Sequence, residues 1–267
     1  MGSDPEKWQL EGTAPELYEG YLVPTVTLPW AQDLVERAAV ARRDRVLDVA
    51  CGTGVVARVA AARVGSGGRI VGLDVNSGML TVARATQPAI EWVEGSALAL
   101  PFDDGEFGIV LCQLGLQFFD DRLGAVCEMR RVLADKGRAA ASVFTSIDRN
   151  PAALALSDVL DRHLGEGASL AKRSEHSLAD SDELRELCTA AGFGGIRIET
   201  VNRTIRFGSV EDWVGVQLAA TPLASVVSRR EELVKSITVD VAASLTAFVG
   251  SDGFAFPQEV HVVVATV

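Results

Sequence analysis

The 267-residue sequence predicts an α/β fold, a mostly parallel sheet with helices on both faces, from three observations. Short apolar runs of buried-strand length alternate with segments whose apolar residues recur at helical spacing. The runs and helices are joined by tight glycine-bearing turns, and this order requires right-handed crossovers between parallel strands. Finally, 48% of the residues are hydrophobic and 23% charged, which supplies a large core and excludes a disordered chain.

The elements are arranged in order along the chain. Residues 31–41 read as a helix, with Leu34, Val35, Ala38 and Ala39 on one side. Residues 45–50 read as a buried strand running into Cys51-Gly52-Thr53-Gly54. A helix begins at about Val55 and is closed by the glycines at 65–68. The cycle repeats with a strand at 69–75, a helix at 77–86, a short strand at 90–95 and a buried strand at 107–115. A helix at 121–134 and a fifth strand at 138–145 complete the regular part. Beyond Thr145 the alternation loosens into a helix at 151–164, a polar loop at 165–179 and a helix at 181–191 stopped by Gly192. A long strand at 195–207 and a mainly helical stretch from 209 to about 249 precede a closing strand from Val260. The expected architecture is a Rossmann-like, seven-stranded, mostly parallel sheet. A helical cap comes from the N-terminal leader and the late insertions.

Charge and cysteine usage narrow the partners. Against 25 Lys and Arg stand 36 Asp and Glu, a net charge of −11 that repels phosphate backbones and anionic lipid. A small-molecule partner is expected, with no nucleic acid and no membrane, and a homo-oligomer remains open. Cys51, Cys112, Cys127 and Cys188 form no C-x-x-C pair, and three lie in apolar stretches, which fits free thiols in a reducing compartment. No secretory signal pattern opens the chain and no apolar run is long enough to cross a bilayer, so a cytoplasmic location is expected.

The informative segment is Val46-Leu47-Asp48-Val49-Ala50-Cys51-Gly52-Thr53-Gly54. A buried strand delivers its end into a glycine turn and a helix begins, an arrangement that brings a ligand against backbone N–H groups. Dinucleotide oxidoreductases share such turns. Two carboxylates separate the readings. Asp48, inside the strand end, suits a ligand's ammonium group and is awkward beside a pyrophosphate. Asp74, at the end of the next strand, can accept bonds from ribose hydroxyls. The pairing favours a nucleoside that carries an amino acid.

Here the sequence resembles the class I S-adenosylmethionine-dependent methyltransferases. VLDVACGTG resembles their first motif and GLDVNSGML (72–80) their second. EGSALALPFDDGEFGIVLCQLGLQFF (94–119) resembles the adenine loop and fourth strand, and EMRRVLADKGRAAASVF (128–144) the helix and strand after it. The leader segment ELYEGYLVP (16–24) and the late segment DGFAFPQEVHVVVATV (252–267) are also similar to those of bacterial small-molecule enzymes of the ubiquinone/menaquinone-methyltransferase type. The resemblance divides the chain into an aromatic leader or lid at 1–30 and a cofactor-binding core at 31–145. Residues 146–267 complete the sheet and supply an acceptor cap.

The resemblance implies S-adenosylmethionine as cofactor and S-adenosylhomocysteine as product. Asp48, Gly52 and Gly54 would surround the methionine part, with Gln113 at its end. Asp74 would hold the ribose, Val75 and Met79 would flank the adenine, and Gly95, Ser96 and Ala97 would meet its edge. Many relatives carry Asp where this chain has Ser96, which accepts a weaker bond. Tyr18 is expected to close over the sulfonium, with Tyr21 near the acceptor, although both could simply staple the leader to the core. Gln117, Phe118 and Trp213 are expected to line the acceptor site, the phenylalanine having core packing as its alternative.

Methyl transfer from a sulfonium needs alignment and a dry site, and a base only when the acceptor starts protonated. His176, on the polar loop, is the candidate base. His163 is a weaker candidate, and His261, in the closing strand, reads as structural. No His, Asp and Glu cluster has metal-ligand spacing, so metal-free transfer is expected. The rival readings are an NAD(P)-dependent oxidoreductase, an aminopropyl transferase, and a non-catalytic S-adenosylmethionine-binding scaffold or sensor.

Overall fold

The structure, a computed structural model, describes residues 13–224 and 230–267. Trp8 in the leader and part of the expected late helical stretch therefore lie outside the described residues. The sheet is built from β1 (Arg45–Val49), β2 (Arg69–Asp74), β3 (Glu91–Glu94), β4 (Phe107–Gln113), β5 (Leu133–Phe144), β6 (Gly194–Phe207), β7 (Val249–Gly250) and β8 (Gly253–Thr266). Its order is β3-β2-β1-β4-β5-β8-β6, with the two-residue β7 pairing β8 at one end. The first five strands run parallel, and β8 enters antiparallel to both β5 and β6.

Strand periodicity sends alternate side chains to opposite faces, and the core divides accordingly. Val46, Ile109, Leu111, Ala140 and Val262 point into one cluster with α2 (Leu28–Arg37), α3 (Val55–Val64), α6 (Pro151–Leu164) and α9 (Val210–Ala219). Leu47, Val110, Cys112, Ala141 and Val263 point into the other with α5 (Arg122–Arg131) and α8 (Ser181–Ala190). Near-continuous apolar strands are the expected signature of a parallel sheet covered on both faces. Among the described residues no helix is long and apolar enough to cross a membrane.

Four boundaries differ from the sequence reading, one being the fifth strand, which begins at Leu133 rather than 138 because α5 ends at Arg131. The leader folds as α1 (Ala14–Leu17), then a wide π-helical segment over Tyr18–Thr27 that runs directly into α2. Pro24 sits inside that segment and lacks the N–H for a regular helical bond, which the wider turn accommodates. The polar stretch after Leu164 contains the short α7 (Leu170–Ser174). The closing strand begins at Gly253, well before Val260, because Phe254 and Phe256 alternate onto one face and pair with Phe207 and Ile205 of β6. That long hairpin places the two phenylalanines under α9 and α10 (Glu231–Ser244), where Trp213 meets both rings edge-on at 5.9 and 5.6 Å.

Candidate active site

Strands β1 and β4 are neighbours, yet the chain continues from β1 toward β2 and from β4 toward β5. Such a reversal opens a crevice at the carboxyl ends of the strands. A cavity of about 470 Å³ lies there. Two non-glycine residues bordering it are left-handed, Ala50 after β1 (φ 55°) and Leu114 after β4 (φ 52°). Each such conformation costs about 1–2 kcal/mol. Two of them on one cavity mark a backbone shaped for a ligand rather than for stability.

The first half of the cavity is built mainly from backbone. Gly52 (φ 55°) has no heavy atom within 4 Å of where a Cβ would stand, so the turn after β1 is an open cradle. Its N–H donates to Asp74 Oδ2 at 2.8 Å, and Asp74 Oδ1 accepts from the Asn76 N–H at 2.8 Å. Burial raises the Asp74 pKa, and the backbone N–H groups of Asn76, Gly52 and Val75 oppose the rise. Asn76 in turn caps α4 (Ser77–Thr86), its Oδ1 accepting from the Met79 N–H at 3.0 Å. Val75 and Met79 line the wall beside Asp74, with Gly95, Ser96 and Ala97 beyond β3. The Ser96 hydroxyl accepts from the Leu98 N–H at 3.1 Å. Across the opening, Tyr18 borders the cavity and burial pushes its phenol up to about 12. Gln113 donates from Nε2 to the Thr27 carbonyl at 3.1 Å, tying β4 to the leader, while its buried Oε1 has no partner.

Four residues expected at the site do not border the cavity. Asp48 is 1% exposed, and its Oδ2 accepts from the Ala57 N–H of α3 at 3.0 Å while Oδ1 has no partner. Burial lifts its pKa to about 8 against the pull of the Ala57 N–H. Gly54 (φ 88°) serves packing, because a Cβ there would stand 2.1 Å from Cη2 of Trp92. Tyr21 is 56% exposed. Gln117 is buried, and its Nε2 donates to the Leu114 carbonyl at 3.0 Å.

The second half is built from side chains. Phe118, Phe144, Trp213 and Phe256 give it an apolar wall. His176 enters after α7, its ring tilted 35° against Phe144 at 5.1 Å, with Nδ1 2.7 Å from the Thr145 carbonyl. A carbonyl only accepts, so Nδ1 carries the proton and the buried, partnerless Nε2 presents a lone pair. Burial pushes the His176 pKa down to about 4; the Thr145 carbonyl opposes this and the Lys172 charge adds to it. The other histidines are used elsewhere, His163 against Asp240 at 2.8 Å and His261 between Thr200 and the Ala179 carbonyl.

Sequence reasoning missed the polar corner next to His176. Lys172 Nζ donates to Glu175 Oε2 and to Gln217 Oε1, both at 2.8 Å, and all three residues border the cavity. The signal was faint. Lys172, Glu175 and His176 share one turn of a segment that reads as polar loop, and Gln217 lies far away on α9.

The cradle at Gly52 and the Asp74 carboxylate, whose oxygens keep acceptor capacity beyond the backbone N–H bonds from Asn76, Gly52 and Val75, fit a ribose beside the β1 turn. Among the described residues bordering the cavity, Lys172 is the only Lys or Arg against Asp74, Asp120 and Glu175, which favours a cationic sulfonium. Fold and site thus define an α/β protein with a nucleoside-cofactor crevice. Residues 47–141 match the family model described as a methyltransferase domain. Over 181 residues the chain is 34% identical to the chloroplastic 2-phytyl-1,4-beta-naphthoquinone methyltransferase of Arabidopsis thaliana, covering 61% of this chain and 69% of that protein. It is 39% identical to the ubiquinone/menaquinone biosynthesis C-methyltransferase UbiE of Xylella fastidiosa, covering 44% of this chain and 49% of the relative. The chain therefore spans only about half the length of the UbiE relative. The fold is shared with Haemonchus contortus phosphoethanolamine N-methyltransferase 2, solved with S-adenosylhomocysteine. The TM-score is 0.57 at 15% identity over 89% of this chain and 52% of that one. The chain belongs to the class I S-adenosylmethionine-dependent methyltransferase family, and S-adenosylmethionine is its cofactor.

Proposed function

We propose that this chain methylates a small, partly apolar acceptor held beside His176. The observation that carries this is the continuity of one cavity, from Asp74 and Ser96 to the wall of Phe144, Trp213 and Phe256. When bound, S-adenosylmethionine supplies an activated methyl group, so the protein's task is alignment and exclusion of water. Asp74 would accept from the ribose hydroxyls, Val75 and Met79 would flank the adenine, and the 95–97 turn would meet its edge. The Gly52 turn and Gln113 would hold the methionine end, and Tyr18, kept neutral by burial, would close over it. Asp48 acts from beneath the cradle by holding the first turn of α3. The ring wall would position the acceptor, and His176 Nε2 would accept its proton.

The names of the naphthoquinone and UbiE relatives, both for quinone-type molecules, support a ring-bearing acceptor. The four free thiols support a reducing, cytoplasmic setting. The test is incubation with S-adenosylmethionine carrying a labelled methyl group and fractionated small-molecule extract, with the Asp74→Ala variant alongside. Label in a small product, lost in the variant, is the expected result. Cofactor binding without transfer to any fraction would overturn the reading in favour of a non-catalytic binder.

A further inference from the structure

The polar corner of the cavity contains two unmatched hydrogen-bonding groups of opposite kind. His176 Nε2 is a buried acceptor without a partner. Lys172 carries three N–H donors, of which Glu175 Oε2 and Gln217 Oε1 take two; among the described residues nothing takes the third. Both side chains border the same cavity, four residues apart on one turn, and each is held rigidly. His176 is fixed by the Thr145 carbonyl and the Phe144 ring, and Lys172 by its two acceptors. Buried polar groups left unpaired are destabilising, so a ligand that matches both gains affinity and orientation together.

Few groups match both. A ketone or ether oxygen accepts from Lys172 and leaves Nε2 bare. An ammonium donates to Nε2 and is repelled by Lys172. A carboxylate pairs with Lys172 but meets Glu175 and again leaves Nε2 bare. A hydroxyl accepts with its oxygen and donates with its hydrogen.

We infer that Lys172, held by Glu175 and Gln217, is a specificity-determining residue that docks a hydroxyl of the acceptor against His176. This rests on the methyltransferase reading and adds the acceptor's functional group and the residues that read it. The proton leaves the hydroxyl for Nε2 while the oxygen's electron pair, or the ring carbon conjugated with it, forms the new bond to the methyl carbon. The carbon–sulfur bond breaks with its electrons going to sulfur, so charge balances: the sulfonium is neutralised and the imidazole becomes imidazolium. Lys172 donates to the oxygen throughout, favouring its more negative form.

The experiment is calorimetric titration of the full chain, saturated with S-adenosylhomocysteine, using 1-naphthol, 1-methoxynaphthalene and 1-naphthoate. These probes share a ring system and differ in donor, acceptor and charge. The wild type is expected to bind 1-naphthol at least about tenfold tighter than either analogue, roughly one unmatched buried bond. Removing the ion pair as a unit, Lys172→Met with Glu175→Leu, leaves no lone buried charge and should collapse that preference. Gln217→Leu, which keeps both charges, should reduce it and serves if the double variant does not fold. A merely structural role for Lys172 would lower melting temperature without changing the ratio between probes. Equal binding of the three probes by the wild type, or an unchanged preference in a folded variant, overturns the proposal. The initial titration with S-adenosylhomocysteine reports separately on the methyltransferase reading: no binding there would overturn that reading.

Discussion

The two halves of the cavity are made differently. The cofactor half is framed by three consecutive strand-end turns, at 50–54, 74–76 and 95–97, with the Asp74 carboxylate among them and the side chains of Tyr18, Met79 and Gln113 around them. The acceptor half is made by side chains from β5, the turn after α7, α9 and β8. The first has little freedom, because Gly52, Asp74 and Asn76 are joined by bonds of 2.8 Å. The second is a set of substitutable side chains on a stable frame. A fold built this way keeps one cofactor and exchanges acceptors.

The largest way to break this contrast is at Asp74. Asp74→Ala leaves the Gly52 and Asn76 N–H groups without their acceptor and takes the ribose partner away. Affinity for S-adenosylhomocysteine should fall at least about 100-fold by calorimetry. Binding within about threefold of wild type would place the ribose elsewhere.

The matching change in the other half is His176→Gln. It should lower kcat by about 100-fold or more, the usual contribution of a positioned base. Affinity for S-adenosylhomocysteine should stay near wild type, and a parallel loss of cofactor binding would merge the two halves. Lys172, whose charge adds to the lowering of the His176 pKa, borders the same cavity as Tyr18, Asp74, Asp120 and Glu175. With its pKa near 4, the wild type should stay active down to about pH 5 if His176 sets the acid limb. An acid limb near 6.5 would contradict a neutral, buried imidazole.

Gly54→Ala tests whether the motif's last glycine serves packing. A Cβ meeting the Trp92 ring at a left-handed position should destabilise by about 2–4 kcal/mol in denaturant unfolding. Adding Trp92→Ala removes the steric obstacle, and the double variant should unfold from cofactor-free protein with less loss than the sum of the singles. Strict additivity would show that Trp92 is not the obstacle.

The last test, at Asp48, reads stability against pH. Its folded pKa of about 8 lies above the ordinary carboxylate value, so the folded state holds the proton more tightly. That contribution is full below about pH 4 and is lost as pH rises through 8. Asp48→Asn keeps an acceptor for the Ala57 N–H without the charge. Its melting temperature relative to wild type should therefore rise between pH 5 and pH 8. A difference that does not change with pH would mean that Asp48 is charged throughout.

The same division explains what the sequence disclosed. Strand-end turns are local, so Gly52 and Asp74 could be read from a few adjacent residues, as could the parallel core from its apolar runs. The roles of Asp48 and Gly54 were not separable by sequence, since a strand-end carboxylate and a turn glycine look alike whether they face a ligand, a helix N–H or a tryptophan ring. The acceptor corner was least legible. Lys172 and Gln217 are 45 residues apart and meet only in the folded chain, and Lys172 reads as a solvated charge. His176 stood out among the three histidines because it lies on the polar loop. Its lone pair became evident only with the Thr145 carbonyl in place. The long β8 was underestimated because Pro257 interrupts the pattern, although Pro257 pairs with Thr204 in the sheet.

The most direct test is a crystal structure with S-adenosylhomocysteine bound. The ribose hydroxyls should lie within hydrogen-bond distance of the Asp74 carboxylate, with the adenine between Met79 and the 95–97 turn and the sulfur facing the His176 side of the cavity. A ligand whose ribose does not touch Asp74, or whose sulfur faces away from His176, would contradict the assignment of the two halves.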